Sequence, residues 1–144
     1  MQQWLHLIYK IPRNPSKVRV YVWRKLKKIG AVLIHDSIWC LPSNPKTKEQ
    51  FQWLATEIQE LGGEASVWES HLILGMQDEL IINEFLAQVE KEYGDILEQL
   101  DLEEFDLVIL TIKYQQINMV DYFQSQLGKQ VFKQLQSARG GNEQ

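Results

Sequence analysis

The sequence predicts an α+β protein with a ferredoxin-like βαββαβ core followed by a helical extension. Three observations predict it. Short β-type runs and helical stripes alternate in the order β-α-β-β-α-β over residues 4–69, the order of the split βαβ arrangement, an antiparallel sheet with two helices on one face. Gly30 and the pair Gly62-Gly63 fall where the two helices of that order should stop. After residue 76 the apolar residues recur only at helical spacing. The expected domains are residues 4–70 for the core and 77–138 for the extension, packed on the core or on a partner. At 144 residues the chain is long enough to bury a core without disulfide or metal staples.

Trp4 to Tyr9 is apolar at nearly every position, as a central strand would be. Pro12 and Pro15 bracket a turn that stops it. Ser16 then opens a helix whose stripe is Val18, Val22, Leu26 and Ile29. Residues 31–34 and 38–41 are short strands, with His35, Asp36 and Ser37 as a tight hairpin turn between them. Thr47 and Gln50 have capping-box spacing, and Phe51, Leu54, Ala55, Ile58 and Leu61 follow at helical intervals. Ala65, Val67 and Trp68 make a fourth strand ending near Glu69. Trp4 and Trp39 belong to strands and should be core.

Asp78 to Leu100 carries Leu80, Ile81, Phe85, Val89, Tyr93, Ile96 and Leu100 near helical spacing. Asp101 and Glu104 suggest a second capping box. Residues 105–114 are dense in β-branched side chains, which favours strand, yet Phe105, Val108, Ile109, Ile112 and Ile117 favour one face of a helix. Helix is the expectation. A last helix should run from Tyr122 to Leu135, and Arg139 to Gln144 should fray.

Charge is the main clue to function. Residues 1–48 hold ten Lys/Arg and one acid, +9, while residues 49–144 hold five Lys/Arg and eighteen acids, −13, which together give the net −4. Such asymmetry points to a polyanion-facing surface at one end of an acidic protein. The single Cys40 excludes an intramolecular disulfide and fits a reducing compartment. The N-terminus has no secretory pattern, and no apolar run reaches bilayer length. A cytoplasmic protein without membrane contact is expected. His6, His35, His71 and Cys40 are too scattered for a metal-ligand motif, and no phosphate-cradling glycine motif occurs. No cofactor, metal or catalytic residue is therefore expected.

The stretch from Ile8 to Pro42 resembles the start of the ChrB family, regulators associated with bacterial chromate resistance. The matching residues include Tyr9, Pro12, Pro15, Arg19, Trp23, Arg24, Leu26, Gly30, Ala31, Trp39 and Pro42. The likeness continues through Phe51, Trp53, Leu54, Ile58 and residues 62–65, and resumes at Glu92-Tyr93 and Asp121-Tyr122-Phe123. It implies the family's N-terminal domain, in a transcriptional regulator that binds promoter DNA. Family members of full length carry a second domain linked to chromate response, so that response does not transfer with the resemblance. Small ferredoxin-like dimers of the CRISPR type, which this architecture also resembles, place a metal-binding acid at the end of the first strand. Here Ile8 to Pro12 has none, and Lys10 would repel a cation.

The expected function is a non-enzymatic, duplex-DNA-binding regulatory module. Its contacts would be Arg13, Lys17, Arg19, Arg24, Lys25, Lys27 and Lys28, in one basic turn and helix. A homodimer is expected, with Trp23, which lies off the helix stripe, at the contact. The alternative is a protein-interaction or dimerisation module, its basic helix docked on acidic helices such as Glu98 to Asp106. A weaker expectation is binding of chromate or another oxyanion by Arg13 and the helix start at Ser16.

Overall fold

The structure, a computed structural model, describes residues 2–13, 16–34, 38–75 and 77–142. Its elements are β1 (Trp4–Lys10), α1 (Ser16–Lys28), β2 (Val32–Ile34), β3 (Ile38–Pro42), α2 (Pro45–Glu60), β4 (Glu64–Ser70), α3 (Asp78–Leu100), α4 (Leu107–Met119) and α5 (Gln126–Asn142). They form two compact units, Met1–Asp78 and Glu79–Gln144. The hairpin turn expected at His35 to Ser37, and Pro15 of the first turn, lie outside the described residues.

In the first unit the strands pair in the order β2-β3-β1-β4, every pair antiparallel. This is the ferredoxin-like arrangement. Leu5 lies opposite Leu41 and Leu7 opposite Trp39, so these four share one face of the sheet. All four are buried, as are Val22 and Leu26 of α1 and Phe51, Leu54 and Ile58 of α2. On the other face Trp4 and Cys40 are buried, while Ile8 and Trp68 stand exposed. Burial lowers the pKa of His6 on that face.

Both helices of this unit stop on a glycine with positive φ, 78° at Gly30 and 92° at Gly62. The next residue closes the motif: Ala31 N donates to Leu26 O, and Gly63 N to Ile58 O. Gly63 is needed for a different reason. A Cβ there would lie 2.7 Å from Lys10 O and 2.8 Å from Ile58 Cγ2.

The start of α2 corrects the expected pairing of Thr47 with Gln50. The cap is Asn44, whose Oδ1 accepts from Thr47 N at 2.8 Å, while Thr47 Oγ1 accepts from Asn44 N at 3.0 Å. Pro45 favours this earlier start, because the first helical turn needs no N–H there. Thr47 is fully buried and donates to Pro42 O at 2.6 Å, tying the end of β3 to the helix.

In the second unit Val89, Tyr93, Ile96, Leu110, Ile117, Val131 and Leu135 form the buried cluster. Residues 107–119 are helical, as expected. The expected capping pair Asp101 and Glu104 is not used. Asp106 caps α4, its Oδ1 accepting from Val108 N at 3.0 Å and Ile109 N at 3.2 Å. Of the expected face only Ile117 is buried; Phe105, Val108, Ile109 and Ile112 are exposed, and Leu110 is buried instead. The last helix starts at Gln126, not Tyr122. Gln124 has φ 52°, and Asp121 and Ser125 accept backbone N–H groups that open α5. That helix runs on to Asn142 through the stretch expected to fray.

Gly128 sits in α5 against Tyr93, and a Cβ there would lie 2.8 Å from Cε2 and Cζ of the ring. Alanine raises helix propensity by roughly 1 kcal/mol over glycine. Overpacking a buried site costs about 1–3 kcal/mol. Tyr93 is wholly buried, so the clash should win. Gly128→Ala should lower the thermal unfolding midpoint; a rise would show that the ring yields.

Candidate nucleic-acid interface

α1 has no acid in its 13 residues and ends with Lys25, Lys27 and Lys28. Val22 and Leu26 anchor its inner face in the core, which turns the cations outward. Arg13, Lys17, Arg19, Arg24, Lys27 and Lys28 are exposed, and Lys25 is half-buried. Among the described residues none of these seven lies within ion-pair distance of a carboxylate, whereas Lys48 pairs with Glu69 at 3.2 Å.

The folded chain divides the seven. Arg13, Arg19 and Arg24 line one open groove of about 750 Å³, together with Lys10 and Tyr9 from the end of β1. Trp23 lines the same groove and is 51% exposed. Among the described residues no carboxylate belongs to the lining. Lys10 is a member that sequence reasoning missed as a site residue. Its signal was its position, at the strand end that feeds the basic turn.

Lys17 lies elsewhere, in a groove of about 410 Å³ between α1 and α2 with Tyr21, Glu57 and Glu60. There Tyr21 donates to Glu57 Oε2 at 2.6 Å, and that hydrogen bond raises the Tyr21 pKa above the ordinary tyrosine value. Lys25 and Lys27 engage aromatic faces. Lys25 Nζ is 5.6 Å from the Tyr21 ring centre, and Lys27 Nζ is 5.8 Å from that of Trp23 and 6.0 Å from that of Trp39. Lys28 is exposed outside both grooves.

Such a groove offers three guanidinium forks and an ammonium around an exposed indole. Guanidinium matches phosphate oxygens two at a time, and an indole face suits a sugar or base edge. Among the described residues no three His, Cys, Asp or Glu side chains cluster as metal ligands, and no helix is long and apolar enough to cross a membrane.

The family model for the N-terminal part of Protein ChrB matches residues 19–109. The chain belongs to the ChrB N-terminal family. Protein ChrB of Cupriavidus metallidurans (strain ATCC 43123 / DSM 2839 / NBRC 102507 / CH34) is 34% identical over 65 residues, 45% of this chain and 19% of that relative. The match thus spans about a fifth of the relative's length. No solved structure matches the chain. The ChrB match begins inside α1 and ends in the first turn of α4, so it draws on both compact units.

Proposed function

We propose that this chain is a cytoplasmic, non-enzymatic regulatory module of the ChrB type that binds duplex DNA through the phosphate backbone. The observation that carries the proposal is the groove holding Lys10, Arg13, Arg19 and Arg24, with no carboxylate among the described residues of its lining. The interaction-module alternative asks that the cations of α1 sit beside carboxylates of the chain. Lys17 shares a groove with Glu57 and Glu60, and among the described residues it forms no ion pair there. Phosphate contacts fix register and orientation and carry no base sequence by themselves. A homodimer would present the groove twice, as paired half-sites require.

Titration of a duplex with the chain at two salt concentrations tests this. Four phosphate contacts should weaken binding roughly a hundredfold between about 50 and 200 mM salt, since each contributes about 0.9 to the log–log slope. Absent binding at the lower salt, or binding indifferent to salt, would refute the proposal.

A further inference from the structure

β4 is an edge strand of seven residues whose one strand partner among the described residues is β1. The opposite edge, β2, has three residues. An edge of seven residues carries a row of backbone groups able to pair with another strand. Gln59 Nε2 reaches Ala65 O at 3.4 Å, a long exposed contact that a strand partner would replace. Trp68 is 59% exposed and Ile8 is 42% exposed, on the same face of the sheet to either side of Ser66. The Trp68 indole is already held along the strand, with Nε1 donating to Ser66 Oγ at 2.8 Å.

The strand sequence Glu64-Ala65-Ser66-Val67-Trp68-Glu69-Ser70 says what fits this edge. In an antiparallel pair of identical strands, residues whose backbone groups point outward must oppose each other, so paired numbers have an even sum. The register centred on Val67 meets that condition and pairs all seven residues. It sets Glu64 opposite Ser70, Ala65 opposite Glu69, Ser66 opposite Trp68, and Val67 opposite its own copy. No carboxylate faces a carboxylate. Glu69 is moreover already held by Lys48 at 3.2 Å and by Ser43 Oγ at 2.6 Å. The two Trp68 side chains become diagonal neighbours, about 7–8 Å apart in such a pair and within aromatic reach.

We infer that the partner of this edge is a second copy of the same chain, joined β4 to β4 about a twofold axis through Val67. The two four-stranded sheets become one continuous antiparallel sheet. The contact uses none of the groove residues, so it is separable from DNA binding.

Cysteine crosslinking and sedimentation equilibrium, both without DNA, test the inference. Val67→Cys should form an interchain disulfide under mild oxidant at concentrations where Leu61→Cys, on an exposed position, stays uncrosslinked; the native Cys40 is buried. Trp68→Glu should raise the dimer dissociation constant at least tenfold, because it removes the paired indoles and sets two carboxylates diagonally. Adding Ser66→Arg to Trp68→Glu should restore association, since each arginine then opposes the partner's glutamate. A wild-type mass that stays at 16.9 kDa at all concentrations would overturn the inference. So would Val67→Cys crosslinking no faster than Leu61→Cys, or a dimer indifferent to Trp68→Glu.

Discussion

Tyr93→Ala should be the most damaging single substitution in the helical unit, costing about 3–5 kcal/mol, the range for truncating a buried aromatic. Tyr93 is fully buried, its ring centre is 6.0 Å from that of Tyr114, and Gly128 is packed against it. Its hydroxyl donates to Asp121 Oδ2 at 2.9 Å, and the same carboxylate accepts Ser125 N where α5 begins. One side chain therefore fills the cluster and fixes the approach to a helix. Tyr93→Phe should separate these roles. It keeps the ring and loses one hydrogen bond, worth about 1 kcal/mol net. At about 4 °C per kcal/mol, the alanine variant should lose at least about 12 °C in a thermal melt followed by circular dichroism. A loss under about 4 °C would show that the cluster collapses around the gap.

The same residue sets an alkaline limit. Burial first, and then the bond to Asp121, hold the Tyr93 pKa well above the ordinary tyrosine value, and burial pushes Tyr122 up to about 12. The folded state thus resists releasing these protons, whereas the unfolded chain releases them near pH 10. Stability is untouched below about pH 10 and falls as pH rises from there toward the folded values. Tyr93→Phe should flatten part of that fall.

The sheet was legible because its signals are local. Apolar strand runs, glycines at the helix ends and prolines at the turns each act within a few residues. The caps were half legible. Thr47 was singled out, but Asn44 sits before Pro45, and either residue can open a helix. Of the buried face of α4 only Ile117 was legible, because Leu107, Val108, Ile109, Leu110 and Ile112 are apolar almost all round the first turns of the helix. Spacing cannot choose a face when every face qualifies. The charge asymmetry announced a basic surface, but not its partition. Lys10 and Arg13 join Arg19 and Arg24 because β1 ends beside α1, a tertiary fact. Lys17 leaves that group because its turn of the helix points toward α2.

That partition makes the second large effect specific. The triple variant Arg13→Gln, Arg19→Gln and Arg24→Gln should lower the slope of log affinity against log salt by about 2.7, three contacts at roughly 0.9 each. Lys17→Gln should change the slope much less, since Lys17 faces Glu57 and Glu60 in the other groove. The seven cations expected from sequence would otherwise contribute alike, so the comparison tests the groove and not merely the net charge. Stability supplies the control. All three arginines are exposed and form no ion pair among the described residues. The triple variant should therefore melt close to wild type, exposed substitutions of this kind usually lying within about 0.5 kcal/mol each. Equal slope changes for Lys17→Gln and for each arginine alone would mean that DNA meets the whole helix and that the groove has no special part. An unchanged slope in the triple variant would remove the groove from the interface altogether.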